Sequence, residues 1–89
     1  MIQETLTIQN KLGLHARAAM KLMNMASRFE SRIAIEHKQR KVNAKSILGV
    51  MALGATKGSA IQIEIEGPDE QHALKALHTL INNKFDEEE

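Results

Sequence analysis

Ile61-Gln62-Ile63-Glu64-Ile65-Glu66 alternates apolar and polar side chains without a break. Successive side chains of a strand point to opposite faces, so this segment buries its isoleucines on one side and presents Gln62, Glu64 and Glu66 to water on the other. A strand of this kind belongs in an antiparallel sheet covered on one face only.

The flanking segments complete the sheet and supply its cover. Ile2, Leu6 and Ile8 alternate with Gln3, Thr5 and Thr7, a second one-sided strand despite Glu4 on its apolar side. Ile33 and Ile35 alternate with Arg32, Ala34 and Glu36, and the polar stretch His37 to Gln39 separates them from a short run around Val42, which predicts a hairpin. After the loop Asn10-Lys11-Leu12-Gly13, the residues Ala19, Leu22, Met23, Ala26 and Phe29 recur at helical spacing and predict a helix from about Ala16 to Ser27. Ser46 is a good N-cap and Gly54 a good C′ residue, so a helix of about two turns fits between them. Gly67-Pro68-Asp69 ends the central strand and opens a helix to about Asn83, with Ala73, Leu74, Leu77, Leu80 and Ile81 as its apolar stripe. The order strand, helix, strand, strand, helix, strand, helix predicts an α+β open-faced sandwich, a four-stranded antiparallel sheet with three helices on one face. Residues 1–89 suit one small domain.

Composition narrows the function. Without cysteine there is neither a disulfide framework nor a thiolate metal site or nucleophile, and a reducing cytoplasm is the simplest setting. No apolar run approaches the roughly 20 residues needed to span a bilayer, and Met1-Ile2-Gln3-Glu4 lacks the basic start of a signal peptide, so a soluble, unexported protein is expected. Twelve Lys and Arg against 11 Asp and Glu leave the chain nearly neutral, and two Phe are the only aromatics. A nucleic-acid partner, which needs a basic face and stacking platforms, is not expected.

The chemistry concentrates in Gly13-Leu14-His15-Ala16-Arg17-Ala18-Ala19. This run sets an imidazole at a helix N-terminus, where unpaired backbone N–H groups and the positive end of the dipole favour an anion. The same field disfavours imidazolium and keeps a neutral ring nitrogen available as a nucleophile. The plain alternative is that His15 only caps its helix. Arg17 is a first-turn cation, mildly unfavourable against the dipole, which argues for a task other than stabilising the helix.

This run resembles the active-site motif of the HPr family, the histidine-containing phosphocarriers of the bacterial phosphoenolpyruvate-dependent phosphotransferase system. Lys45-Ser46-Ile47-Leu48-Gly49-Val50-Met51 resembles the family's regulatory-serine segment. The resemblance covers essentially the whole chain. It implies that His15 is phosphorylated on Nδ1 by enzyme I, itself charged from phosphoenolpyruvate, and passes the group to a IIA-type acceptor. The backbone N–H groups of Ala16 and Arg17 and the Arg17 guanidinium are then the phosphate's partners. It also implies a carrier rather than an independent catalyst, no cofactor, and phosphorylation of Ser46 by a dedicated serine kinase/phosphorylase. Ala18 departs from the motif, which usually has proline there; the change is expected to alter loop order more than chemistry.

Met20, Ile47, Leu48 and Met51 exceed what a two-turn helix can bury, which predicts an exposed docking patch ringed by Arg17, Lys21 and Lys45. Val50 and Leu53 read as core. His37, His72 and His78 read as solvated positions without metal-ligand spacing, and Lys38-Gln39-Arg40-Lys41 as a solvated basic turn. Phe85-Asp86-Glu87-Glu88-Glu89 reads as a frayed, solvated tail, although such an ending is similar to the family's nitrogen-related branch, NPr. Sugar transport and nitrogen or potassium regulation both stay open as outputs. The rival from another class is an HPr-like regulatory binding module controlled through Ser46 that carries no phosphate; the presence of His15 argues against it. A freestanding enzyme lacks a triad, a metal constellation and room for a lined pocket. A monomer is the expected state.

Overall fold

A computed structural model describes residues 1–89. The elements in order are β1 (Ile2–Thr7), α1 (Ala16–Ala26), β2 (Arg32–His37), β3 (Arg40–Asn43), α2 (Ile47–Ala52), β4 (Ala60–Glu66), α3 (Glu70–Asn82) and a closing 3-10 turn, Lys84–Asp86. The sheet runs β1-β4-β2-β3 and every pair is antiparallel. The alternating segment is thus a central strand, hydrogen-bonded on both sides, with Ile63 opposite Glu4 on β1 and Ile35 on β2.

Ile61, Ile63 and Ile65 have no accessible surface, and with Leu6, Ile33 and Ile35 they form the floor of one core. Ala18, Ala19, Leu22 and Ala26 of α1, Val50 of α2, and Ala73, Leu77, Leu80 and Ile81 of α3 cover it from the helical side. The other face carries polar side chains: the Gln3 amide donates to Glu64 Oε1 at 2.9 Å, and Lys41 pairs with the same carboxylate. Glu4, on the apolar side of the pattern, is exposed because β1 is an edge strand. An inward-facing charge at such an edge discourages pairing with another sheet. The predicted open-faced α+β sandwich is the fold observed.

Local signals set most boundaries. Ser46 Oγ accepts the Gly49 N–H at 3.2 Å, and Gly54 follows the last turn of α2 with φ +63. Lys38 and Gln39 form the hairpin turn with φ 50 and 69. His37 corrects the expectation of a solvated surface histidine. It is only 8% exposed, and its Nδ1–H donates to the Leu53 carbonyl at 3.0 Å, joining the end of β2 to the end of α2. His72 and His78 are exposed as expected.

Asp69 precedes α3, yet its side chain caps a different segment. It accepts from Ser31 Oγ at 2.5 Å, from Glu30 N at 2.9 Å and from Ser31 N at 3.0 Å. The Ser31 hydroxyl, then the two backbone N–H groups, hold this carboxyl below the usual carboxylate range. Because its pKa falls on folding, the stabilisation is complete above the unfolded value of about 4 and is lost as pH drops through the lower folded value. Asp69→Asn is therefore expected to lower Tm most near neutral pH, with the gap to the wild type closing as pH falls below the unfolded value of about 4. Thermal melts of both proteins across that range check this, and a gap independent of pH would refute it.

Candidate functional site

The loop before α1 is clamped. Gly13 adopts φ +65, its N–H donates to the Asn10 carbonyl at 3.1 Å, and the next N–H, of Leu14, donates to Ala55 at 2.9 Å. Asn10, fully buried, donates from Nδ2 to the Gly13 carbonyl at 2.8 Å. His15 then occupies the N-cap position of α1 with φ −71 and ψ 177, and its carbonyl accepts the Ala19 N–H at 2.8 Å. Its ring makes no capping bond, so the imidazole is not spent on stabilising the helix. Ala16 and Arg17 supply the first N–H groups of α1, which have no intrahelical acceptor. The Arg17 side chain is exposed on the same turn and belongs to none of the ion pairs. Ala18 is fully buried against the core.

The C-terminal segment is not the solvated tail expected from its composition. Phe85 is completely buried and packs into the main core, Lys21 Nζ donates to the Phe85 carbonyl at 2.6 Å, and Lys11 binds Glu89 through its backbone N–H and its ammonium. Glu87 Oε2 consequently lies 2.5 Å from His15 Nε2, while Oε1 accepts from Asn10 Nδ2 at 3.1 Å. Burial raises the affinity of the Glu87 carboxyl for a proton, but the bonds from His15 and Asn10 outweigh it and hold the group below the usual carboxylate range. Residues 15 and 87 thus share one cleft, with Lys11, Arg17 and Lys21 opposite the acidic end of the chain.

Sequence reasoning missed Phe85, Glu87 and Asn10. For Phe85 a signal was present: Leu77, Ile81 and Phe85 continue one helical stripe at four-residue intervals. No local pattern announces Glu87, because its partner lies 72 positions away.

The expected patch is present in part. Met20, Leu48 and Met51 are 52%, 77% and 43% exposed on the packed pair α1 and α2, whereas Ile47 is half-buried against the core. Val50 and Leu53 are core, as read. The cationic ring is smaller than expected: Lys21 is engaged with Phe85, and Lys45 Nζ donates to the Phe29 carbonyl at 2.7 Å, which leaves Arg17 as the unpaired cation. Ser46 is exposed at the start of α2. No three His, Asp or Glu side chains converge as metal ligands.

A one-sided sandwich with an uncapped imidazole at a helix start defines a small histidine-bearing α+β domain. Residues 2–83 match the PTS-HPr family, described as the PTS HPr component phosphorylation site. The phosphocarrier protein HPr of Cupriavidus necator is 52% identical over 89 residues, all of both chains. The phosphocarrier protein NPr of Escherichia coli is 36% identical over 88 residues, 98% of each chain. The crystal structure of HPr from Thermoanaerobacter tengcongensis superposes with a TM-score of 0.96 at 48% identity, covering 100% of both chains. The chain belongs to the HPr family of phosphocarriers of the phosphotransferase system.

Proposed function

We propose that Nδ1 of His15 accepts a phosphoryl group from enzyme I charged by phosphoenolpyruvate and gives it to a IIA-type acceptor, in sugar transport or in nitrogen and potassium regulation. The observation that carries this reading is the uncapped His15 ring at the start of α1, 27% accessible, with unpaired Arg17 on the same turn. The attacking nitrogen lone pair forms the new bond to phosphorus while the donor's bond to phosphorus breaks and its electrons leave with the donor. The transferred group then meets the N–H groups of Ala16 and Arg17 and the Arg17 guanidinium. An anion at a helix N-terminus gains about 0.3–1 kcal/mol, and more where solvent is excluded by a docked partner. Charge-assisted bonds from a guanidinium add to this.

Met20, Ile47, Leu48 and Met51 supply the apolar centre of the docking face and Arg17 its free cation, with Lys21 beside it tied to the Phe85 carbonyl, suited to partners with an acidic rim. Ser46 is the regulatory position for a serine kinase/phosphorylase. A phosphate there agrees with the dipole of α2 but repels the same acidic rim. The reading carries with it a monomeric, cytoplasmic carrier.

Incubation with phosphoenolpyruvate, Mg²⁺ and enzyme I paralogues of the sugar and nitrogen branches is expected to yield an acid-labile phosphoryl adduct by intact mass, absent from His15→Ala. The paralogue that reacts faster identifies the branch. A wild-type protein that stays unmodified with both would overturn the carrier reading in favour of a binding module.

A further inference from the structure

We propose that Glu87 is a positioning residue for His15: its carboxylate holds the ring proton on Nε2 and leaves the lone pair on Nδ1 free to receive phosphoryl groups. This rests on the reading of His15 as the phosphorylated residue.

The geometry carries it. An ionised carboxylate can only accept, so the ring nitrogen 2.5 Å from Glu87 Oε2 bears the hydrogen. A neutral imidazole has one N–H, and with it on Nε2 the other nitrogen is bare. Nδ1 makes no capping bond that would compete for its lone pair. Glu87 is in turn held in place. Its second oxygen is bound by Asn10 Nδ2 at 3.1 Å, and Asn10 is fully buried and tied to the loop that carries His15. The backbone on either side is fixed by buried Phe85 and by the contacts of Lys11 with Glu89. The carboxylate's preference for the charged state agrees with this role.

The proton balance is simple. Nδ1 forms its bond to phosphorus and the donor's bond breaks, so the His15 ring becomes a phosphoimidazolium that keeps its Nε2 proton. The adjacent carboxylate offsets the positive charge. When the group moves on to the acceptor, the electron pair of the Nδ1–P bond returns to Nδ1 and the neutral ring is restored. No proton is gained or lost in either direction, and the phosphorylated ring is kept in its protonated form, in which it is the better leaving group.

The test uses the full chain and two variants, Glu87→Gln and Glu87→Ala. Long-range proton–nitrogen NMR spectra of the neutral His15 ring are expected to show the Nε2–H tautomer in the wild type and a mixture with the Nδ1–H form in Glu87→Ala. Phosphoryl uptake from enzyme I is expected to fall about tenfold in Glu87→Ala, since an orienting carboxylate acts through tautomer and charge. Glu87→Gln should lie between, because its amide oxygen still accepts but carries no charge. A tautomer ratio that does not change in Glu87→Ala would overturn the proposal, as would unchanged or faster uptake; faster uptake would make the segment an obstruction. The tautomer spectrum needs no phosphodonor, so a wild-type protein that takes no phosphate would refute the carrier reading while the contact is still tested on its own.

Discussion

Gly13→Ala is expected to destabilise the fold by about 2–4 kcal/mol and to slow phosphoryl uptake by His15 at least tenfold. The glycine sits at φ +65, a region that costs an L-residue about 1 kcal/mol or more. A Cβ would also stand 2.5 Å from the Ala55 carbonyl oxygen and 2.8 Å from the Thr56 Cα. Both obstacles are backbone, so no rotamer change relieves the overlap and the two loops must separate. The Ala55 carbonyl is the acceptor of the Leu14 N–H at 2.9 Å, one residue before His15, so separation costs that bond and displaces the imidazole. Displacements near 1 Å cost reaction rates on the order of a hundredfold when alignment matters. Urea denaturation with an uptake assay measures both effects. Wild-type stability and rate in the variant would show that this contact does not position His15.

Phe85→Ala is expected to cost about 1–3 kcal/mol, less than the roughly 3–4 kcal/mol of a comparable truncation such as Leu77→Ala inside α3. Both side chains are completely buried, so equal burial alone predicts similar losses. The difference comes from the backbone: Lys84, Phe85 and Asp86 all adopt left-handed conformations, φ 57, 54 and 63, at about 1 kcal/mol each. Burial of the phenyl ring holds that turn in place. Without the ring the segment lets go, the strain relaxes, and part of the loss is recovered. Glu87 then leaves His15, so the tautomer mixture described for Glu87→Ala should appear in Phe85→Ala as well. Leu77→Ala, with the segment still docked, should retain the Nε2–H form. Denaturation curves and amide exchange of residues 84–89 separate the cases. Equal stability losses, with residues 84–89 protected in both variants, would contradict the account.

Much of this was legible in the chain because the signals are local. The isoleucines of β4 alternate, and a period of two leaves one buried face whatever else the protein does. Ser46 and Gly54 delimit α2 through their own side-chain and backbone chemistry. His15 and Arg17 stood out by their placement at the start of α1, and the family motif around them covers that stretch. His37 carries no local mark of burial beside a polar turn; only the approach of the Leu53 carbonyl makes it an interior group. Local sequence likewise does not show that the ammonium groups of Lys21 and Lys45 bind remote carbonyls, at Phe85 and Phe29.

The sequence by itself determined the order of strands and helices, the one-sided sheet and the position of the reactive imidazole, since each follows from periodicity or capping within a dozen residues. Tertiary structure alone decided the surroundings of that imidazole. The acidic end reads as solvated by composition, yet burial of Phe85 against the core brings Glu87 to His15 across 72 positions of chain. Local patterns report which face of an element avoids water. They do not report which remote polar group a closing segment carries to a given ring nitrogen, because that depends on how the packed elements end and where the chain is left to go.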